Sequence, residues 1–395
     1  MSDLGCDEQL DSIFSESVEQ ARKREQSAFD EIAGACCESL VLYGAGNLGR
    51  RVLRGLRKNG LDAVAFADAN PALRGQRIDG ISVFSPEDAV RKYGGNAAFV
   101  VCVWHPDLHS GVQDIMDQLA AMGAARVLPF VYLFWKHADS FLSHYFWELP
   151  SKYLAQHAAI RRAYESFDEE TSRVQFIADL ELRIRACFGG RPSLRTDKQY
   201  FPNELFRLSP DECFVDCGAY DGDTIKEFAA ESRGRFRRII AFEADPDNFS
   251  RLNDYVATQP DLCERVRIHQ AAVGRTAGSL RFAATASSNA SVSSSGDTVV
   301  NCVALDDVLG DASPSMIKMD IEGSELDALQ GAAHVIGAHG PVLAICLYHC
   351  PEHLWSLPLW MRRAEPESRL YFRSHAVDGF DSVCYGVPGH RAIKD

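Results

Sequence analysis

The sequence predicts an α/β protein built from two Rossmann-like domains joined by a helical connector. Three observations carry that prediction. A strand running into a glycine-bearing loop, then a helix, then a strand ending in an acid, occurs twice. The first copy spans Leu40 to Asp68 and the second spans Phe214 to Glu243. Apolar runs of strand length alternate with helical patterns in both regions, as parallel sheets require. The length of 395 residues exceeds one ordinary domain.

Composition narrows the class. A hydrophobic content of 46% with 24% charged residues is ordinary for a globular protein. The net charge of -14 argues against nucleic acid as a partner, because phosphate backbones select cationic surfaces. The basic run Arg233-Gly-Arg-Phe-Arg-Arg238 reads as a solvated loop before a strand. Twelve cysteines are scattered, several of them inside apolar strand-like runs, with no Cys-x-x-Cys. That pattern fits buried reduced thiols and a cytoplasmic location rather than a disulfide framework. The acidic N-terminus lacks a signal-peptide core, and no apolar run reaches the ~20 residues of a membrane span.

Residues 1–35 read as a charged amphipathic helix, with Phe14, Val18, Ala21, Phe29 and Ile32 loosely at helical spacing. A Rossmann-like nucleotide-binding domain follows over 36–131. Its strand from Leu40 runs into the G-x-G-x-x-G of Gly44, Gly46 and Gly49, with Asn47 inside the loop and a helix from Arg50 to Asn59. The second strand, Ala63 to Asp68, ends in the acid that belongs with such a loop. Phe99 to Val103 and Arg126 to Phe130 are later strands. Tyr132 and Lys136 match a Tyr-x-x-x-Lys pair, but in an apolar strand-like run, so no reductase dyad is assigned.

Residues 132–208 read as the helical, aromatic connector, ending in a loop over Arg195 to Pro202. The second domain, 209–395, has strands at Phe214–Cys217, Ile239–Glu243, Val266–Ala271, Ser315–Asp320 and Val342–Tyr348. Two closing strands, Arg369–Ser374 and Ser382–Val387, are joined by a turn near Asp378-Gly379. The Ser/Ala-rich stretch between Phe282 and Asn301 is either an extra hairpin or a flap.

The second loop differs from the first. It reads Asp216-x-Gly218-x-x-x-Gly222 and opens with a carboxylate, which repels a pyrophosphate but suits a cationic amino-acid group. Glu243, at the tip of the next strand, is placed for a ribose diol. Acid, glycine loop and ribose acid together point to S-adenosylmethionine.

A resemblance adds to this reading. Phe214 to Thr224, Ala241-Phe-Glu243, Gln270 to Gly274, Ile317-Lys-Met-Asp-Ile-Glu-Gly-Ser-Glu325, Leu329-Gln-Gly331 and Leu347-Tyr-His349 all resemble the FkbM-type methyltransferases. The resemblance covers residues 195–390. It implies a seven-stranded class I methyltransferase sheet and S-adenosylmethionine-dependent O-methylation of sugars, polyketides or related small molecules. It also implies that Asp216, Gly218, Ala219, Tyr220 and Asp221 line the cofactor, that Glu243 holds the ribose and that Ala272 flanks the adenine. The first domain is similar to small nucleotide-binding domains of polysaccharide-modifying enzymes. There Gly44, Gly46, Asn47, Gly49 and Asp68 imply a nucleotide or nucleotide-sugar site.

For catalysis, Lys318, Asp320 and Glu322 alternate onto one strand face. Asp320 and Glu322 fall at the carboxyl end of the fourth strand, where open α/β sheets place ligands. Asp320 is the candidate for contact with cofactor or acceptor, and it also suits a helix cap near Gly323. His349, at the end of the neighbouring strand, is the candidate base. Glu325 suits the positive end of a helix. Asp320, Glu322 and His349 are a donor set that several divalent metals accept, but nothing in their spacing demands an ion, and none is expected. The expected protein is therefore an O-methyltransferase for a small hydroxylated acceptor, with a sugar or glycoconjugate favoured and a homo-oligomer allowed. Two rivals stand beside it: an NAD-dependent oxidoreductase using the first domain, and a non-enzymatic nucleotide-sugar binding protein.

Overall fold

The computed structural model describes residues 5–105, 111–189, 198–283, 291–292 and 298–393. The chain divides into two compact units. The first comprises Met1–Ala158, Val174–Leu194 and Ala376–Phe380; the second comprises Ala159–Arg173, Arg195–His375 and Asp381–Asp395.

The first unit opens with two helices, α1 (Cys6–Phe14) and α2 (Val18–Ala33), rather than the single helix the spacing suggests. Ser17 causes the break. Its hydroxyl accepts the Gln20 amide while the Gln20 side chain accepts the Ser17 amide, so the chain caps and starts again. The sheet follows: β1 (Leu40–Tyr43), α3 (Asn47–Lys58), β2 (Ala63–Ala67), β3 (Arg77–Ile78), β4 (Ile81–Phe84), α4 (Pro86–Tyr93), β5 (Ala98–Val101), α5 (Val112–Ala121) and β6 (Val127–Pro129). Its six strands run in the order β3-β4-β2-β1-β5-β6, parallel except for β3. The chain leaves β1 toward β2 on one side and returns at β5 on the other. The carboxyl end of β1 is thus the switch point where such sheets open a crevice.

α6 (Phe130–Lys136) corrects the strand-like reading of the Tyr132 segment. Phe130, Val131, Leu133, Phe134 and Trp135 are all buried, so neither a helical nor a strand period shows. Lys136 is spent on Asp30 of α2, 2.6 Å away, which leaves no dyad with Tyr132. The remaining helical segments are α7 (Ala138–Phe141), α8 (Pro150–Ala155), α9 (His157–Glu165) and α10 (Glu170–Arg185).

The second unit runs β7 (Cys213–Cys217), α11 (Asp223–Glu231), β8 (Arg238–Glu243), α12 (Pro246–Ala257), α13 (Pro260–Cys263) and β9 (Val266–Gln270). A smaller group follows: β10 (Ala272–Val273), β11 (Gly278–Ala283), β12 (Ser291–Val292) and β13 (Thr298–Val303). The unit ends with α14 (Leu305–Val308), β14 (Met316–Met319), α15 (Glu325–Gln330), α16 (Ala333–His339), β15 (Val342–Cys346), α17 (His353–Ala364), β16 (Ser368–Ser374) and β17 (Ser382–Pro388). The seven-stranded sheet has the order β16-β17-β15-β14-β7-β8-β9, with β17 antiparallel to both neighbours. β7 and β14 are buried at every position, as central parallel strands should be. The Ser/Ala-rich stretch does contain a hairpin, since β11 pairs antiparallel with β13; residues 284–290 and 293–297 lie outside the described residues.

No helix among the described residues is long and apolar enough to cross a membrane. The described cysteines are free thiols, most of them buried.

Gly49 shows how tightly the first loop closes. A Cβ there would lie 1.9 Å from the Gly44 carbonyl oxygen, whereas one on Gly46 would meet nothing within 4 Å. Gly49→Ala is therefore expected to cost stability at the upper end of the usual ~0.5–3 kcal/mol for point changes, with Gly46→Ala close to neutral. Thermal melts of both variants check this; equal melting temperatures would contradict it.

Candidate functional site

The candidate site of the second unit lies at the carboxyl edge of β8, β7, β14 and β15. Backbone closure builds its first part. Gly218 sits at φ +82°, and a Cβ on it would fall 2.0 Å from the Asp320 carbonyl oxygen. Only glycine lets the loop after β7 press against the end of β14.

Glu243 ends β8 and holds the loop from the other side. One carboxylate oxygen accepts the Tyr220 amide at 2.8 Å, and the other accepts the Asp245 amide at 2.8 Å. Burial raises its carboxyl above the ordinary value, against the pull of these two amides. The first unit repeats the device. Asp68 accepts the Ala45 amide at 2.8 Å and the Asn70 amide at 2.8 Å. In each unit the acid at the second strand tip fixes its glycine loop and keeps lone pairs on both oxygens for a ligand.

Asp216 departs from the expectation of a carboxylate awaiting a cationic ligand. It is completely buried, and the ammonium of Lys318 on β14 lies 3.0 Å from its Oδ1. The same ammonium donates to the Gly218 carbonyl at 2.7 Å. Burial pushes the Asp216 carboxyl up to about 6 in spite of Lys318, while Asp216 and Asp320 keep Lys318 charged against its own burial. Asp216 and Lys318 thus neutralise each other beneath the loop.

Asp320 follows β14 and is the centre of a hydrogen-bond cluster. Its carboxylate accepts the Tyr200 hydroxyl at 2.8 Å and the Tyr348 hydroxyl at 3.0 Å. The His349 Nε2 lies 3.2 Å from Oδ1. Burial works to raise this carboxyl, but His349, Lys318 and Tyr200 hold it well below the usual carboxylate range. It caps no helix: α15 starts at Glu325, behind Ser324, with no side-chain cap.

His349, the candidate base, lies between two carboxylates. Its side chain is 2% exposed, with Nδ1 at 2.7 Å from Glu325 Oε1 and Nε2 facing Asp320. Burial alone would discharge the ring, but Glu325, Asp320 and Glu322 overcome it and raise its pKa well above 6.5. The ring thus bridges two carboxylates, Nδ1 toward Glu325 and Nε2 toward Asp320. Glu325 lies in the first turn of α15, as read from sequence, and is also the fully buried partner of this ring, accepting the Ile321 amide at 2.9 Å.

Glu322 is the remaining edge carboxylate. It adopts φ +53°, a conformation uncommon for a non-glycine residue. Among the described residues, the nearest basic group is His349 Nε2 at 3.8 Å, beyond hydrogen-bond range. Burial lifts its carboxyl to about 7; His349 opposes this, and Asp320 and Glu325 add to it.

Ala219 is buried in the loop beside Gly218, and Asp221 follows Tyr220 in the turn before α11. Ala272, on β10, packs on the small cluster of Ala244 and Val300. In the first unit, Gly44, Gly46 and Asn47 form the turn from β1 into α3, which begins at Asn47 rather than Arg50. The structure thus gathers Asp216, Gly218, Tyr220, Glu243, Asp320, Glu322 and His349 on one sheet edge. Tyr200, Tyr348, Lys318 and Glu325 complete it without having been assigned a site role. Tyr348 was in view, since it lies inside the Leu347-Tyr-His349 motif; Tyr200 sits in an irregular segment with no pattern to mark it.

Residues 216–364 match the family model of the methyltransferase FkbM domain, which supports a methyltransferase. The chain is similar in fold to the crystal structure of a methyltransferase FkbM from Methylobacillus flagellatus KT. The TM-score is 0.77 at 21% identity, covering 95% of this chain and 99% of that one. A partial match to UDP-D-quinovosamine 4-dehydrogenase from Vibrio fischeri covers 23% of this chain and 76% of that one, at 26% identity and a TM-score of 0.20. Another, to a putative rRNA-methylase from Clostridium thermocellum, covers 48% and 90%, at 9% identity and a TM-score of 0.31. No curated protein matches the chain.

The Asp216–Lys318 pair gives a direct test of the buried edge. Lys318→Met strands a buried carboxylate and is expected to cost ~3–5 kcal/mol. Adding Asp216→Asn should recover part of that loss. Denaturant melts of both variants check it; a single mutant as stable as the wild type would contradict the pairing.

Proposed function

We propose that the second unit is an S-adenosylmethionine-dependent O-methyltransferase acting on a small hydroxylated acceptor, a sugar or glycoconjugate. The first unit binds a nucleotide or nucleotide-sugar through Gly44, Gly46, Asn47, Gly49 and Asp68. The observation that carries the cofactor assignment is Glu243. It sits at the tip of β8 beside the sheet's switch point, with each oxygen engaged by one amide and a lone pair left on each for a ribose diol.

The residues present fit the cofactor in two further ways. The glycine at 218 brings loop backbone to the strand edge with no side chain in the way. Three acidic side chains, Asp320, Glu322 and Glu325, surround one histidine ring, and this acidic setting suits a sulfonium cation. When bound, the cofactor would supply an electrophilic methyl group. Asp216 acts through Lys318 to hold the loop rather than by meeting the ligand.

The chain's own residues divide the remaining work. Tyr200, Tyr348 and His349 fix the Asp320 carboxylate, which is thereby a positioning and charge-stabilising group. Glu322, with no donor in hydrogen-bond range among the described residues, is the carboxylate left to take the acceptor's proton. General-base help of this kind contributes ~10²–10⁴-fold, with positioning supplying much of the rest. The choice of an oxygen on a sugar rests on the family resemblance.

Calorimetry of the full chain should show S-adenosylmethionine binding. Loss of a charged hydrogen bond of ~1.5–3 kcal/mol should weaken that binding about 10- to 150-fold in Glu243→Ala. Unchanged affinity in the variant, or no binding by the wild type, would overturn the assignment.

The first unit is tested separately. Gly46→Val meets no neighbouring protein atom at Cβ, so it tests the ligand rather than the fold. It should abolish the melting-temperature rise given by nucleotides or nucleotide-sugars and leave S-adenosylmethionine affinity unchanged. If none of these compounds shifts the wild-type melt, the nucleotide assignment is wrong.

A further inference from the structure

The acid that opens α15 is built into the edge more deeply than a helix start requires. An exposed carboxylate is enough to complement the positive end of a helix. Glu325 is instead wholly buried, and its two oxygens serve three groups. Oε1 accepts the Ile321 amide at 2.9 Å and lies 2.7 Å from His349 Nδ1. Oε2 lies 3.3 Å from Nδ1 of His353, the first residue of α17. Burial works to raise the Glu325 carboxyl, but His349, His353 and the Ile321 amide hold it below the ordinary value.

These contacts continue to the open edge. The opposite ring nitrogen of His349 lies 3.2 Å from Asp320 Oδ1. Acid and imidazole thus alternate from His353 through Glu325 and His349 to Asp320. The first three are buried, whereas the Asp320 side chain is 25% exposed. Ile321, whose amide Glu325 accepts, directly follows Asp320. Glu325 therefore grips Asp320 twice, through the ring and through the neighbouring peptide. In an imidazole, the partner of one nitrogen sets how the other is presented.

On the methyltransferase reading of this edge, we propose that Glu325 and His353 are positioning residues, which act through His349 to hold the Asp320 carboxylate in place for the cofactor's positive sulfur. His353 sets Glu325, Glu325 sets His349, and His349 sets Asp320, which Tyr200 and Tyr348 also hold. A carboxylate fixed in advance favours a cation without having to reorganise when it binds. The benefit falls on S-adenosylmethionine, whose sulfur is charged, and not on S-adenosylhomocysteine, whose sulfur is neutral.

Calorimetry of the full chain with each of these two compounds is the test. His353→Leu removes the ring beside Glu325. It should weaken S-adenosylmethionine binding about 5-fold or more, with S-adenosylhomocysteine affinity nearly unchanged. His353→Asn keeps a donor near the place of Nδ1 and should restore most of the loss. Glu325→Gln should lower the same preference, and adding His353→Leu to it should lower it no further, because His353 acts through Glu325. A circular dichroism melt establishes that each variant is folded, and Glu325→Gln decides the matter if His353→Leu is not. An unchanged preference for the charged compound in the folded variants, or an equal loss of both compounds, would overturn the positioning role. Failure of the wild type to bind either compound would instead overturn the methyltransferase reading, and this role with it.

Discussion

The ammonium of Lys318 holds the second unit's edge together. It is buried on the central strand, meets the Asp216 carboxylate and donates to the Gly218 carbonyl. Two strands and the glycine loop are therefore locked by one cation in a low-dielectric setting. Taking these charges out of water is costly, and only good geometry repays it. Because Gly218 has no side chain, the same loop can lie against the Asp320 carbonyl. Asp320 is in turn fixed by Tyr200, Tyr348 and His349. The site is thus a chain of contacts that starts below the sheet edge and ends at the groups facing a ligand.

The two units use one local solution for different loops. In each, an acid at the second strand tip accepts an amide of the glycine loop, Ala45 in one and Tyr220 in the other. That solution follows from parallel strands meeting at a switch point, where loop amides would otherwise lack partners. It gives the acid a structural role in each loop. A helix-opening G-x-G-x-x-G suits phosphate in the first unit. In the second unit the loop opens with a buried, neutralised aspartate.

Much of this was legible in the sequence, for identifiable reasons. Strand-length apolar runs, two glycine loops and two strand-tip acids are local signals, and they placed both sheets and Glu243. What depends on long-range pairing was not legible. Nothing near Asp216 says that its counter-ion is Lys318, about a hundred positions away in the chain. His349 reads as a base by residue type, and nothing near it in sequence shows that Glu325 and Asp320 converge on it from other elements. Tyr200 lies in an irregular segment with no periodicity, so its hydroxyl contact to Asp320 has no sequence mark. The α6 segment failed for the opposite reason, since burial on nearly every side erased its period.

The central claim is that the edge of β7, β8 and β14 is built for S-adenosylmethionine. A crystal structure of the full chain with S-adenosylhomocysteine tests it most directly. The account predicts the ribose hydroxyls within hydrogen-bond reach of the Glu243 carboxylate, about 2.5–3.0 Å, with the loop around Gly218 against the ligand. A ligand bound only at the Gly44–Gly49 loop, or one that leaves Glu243 untouched, would contradict it.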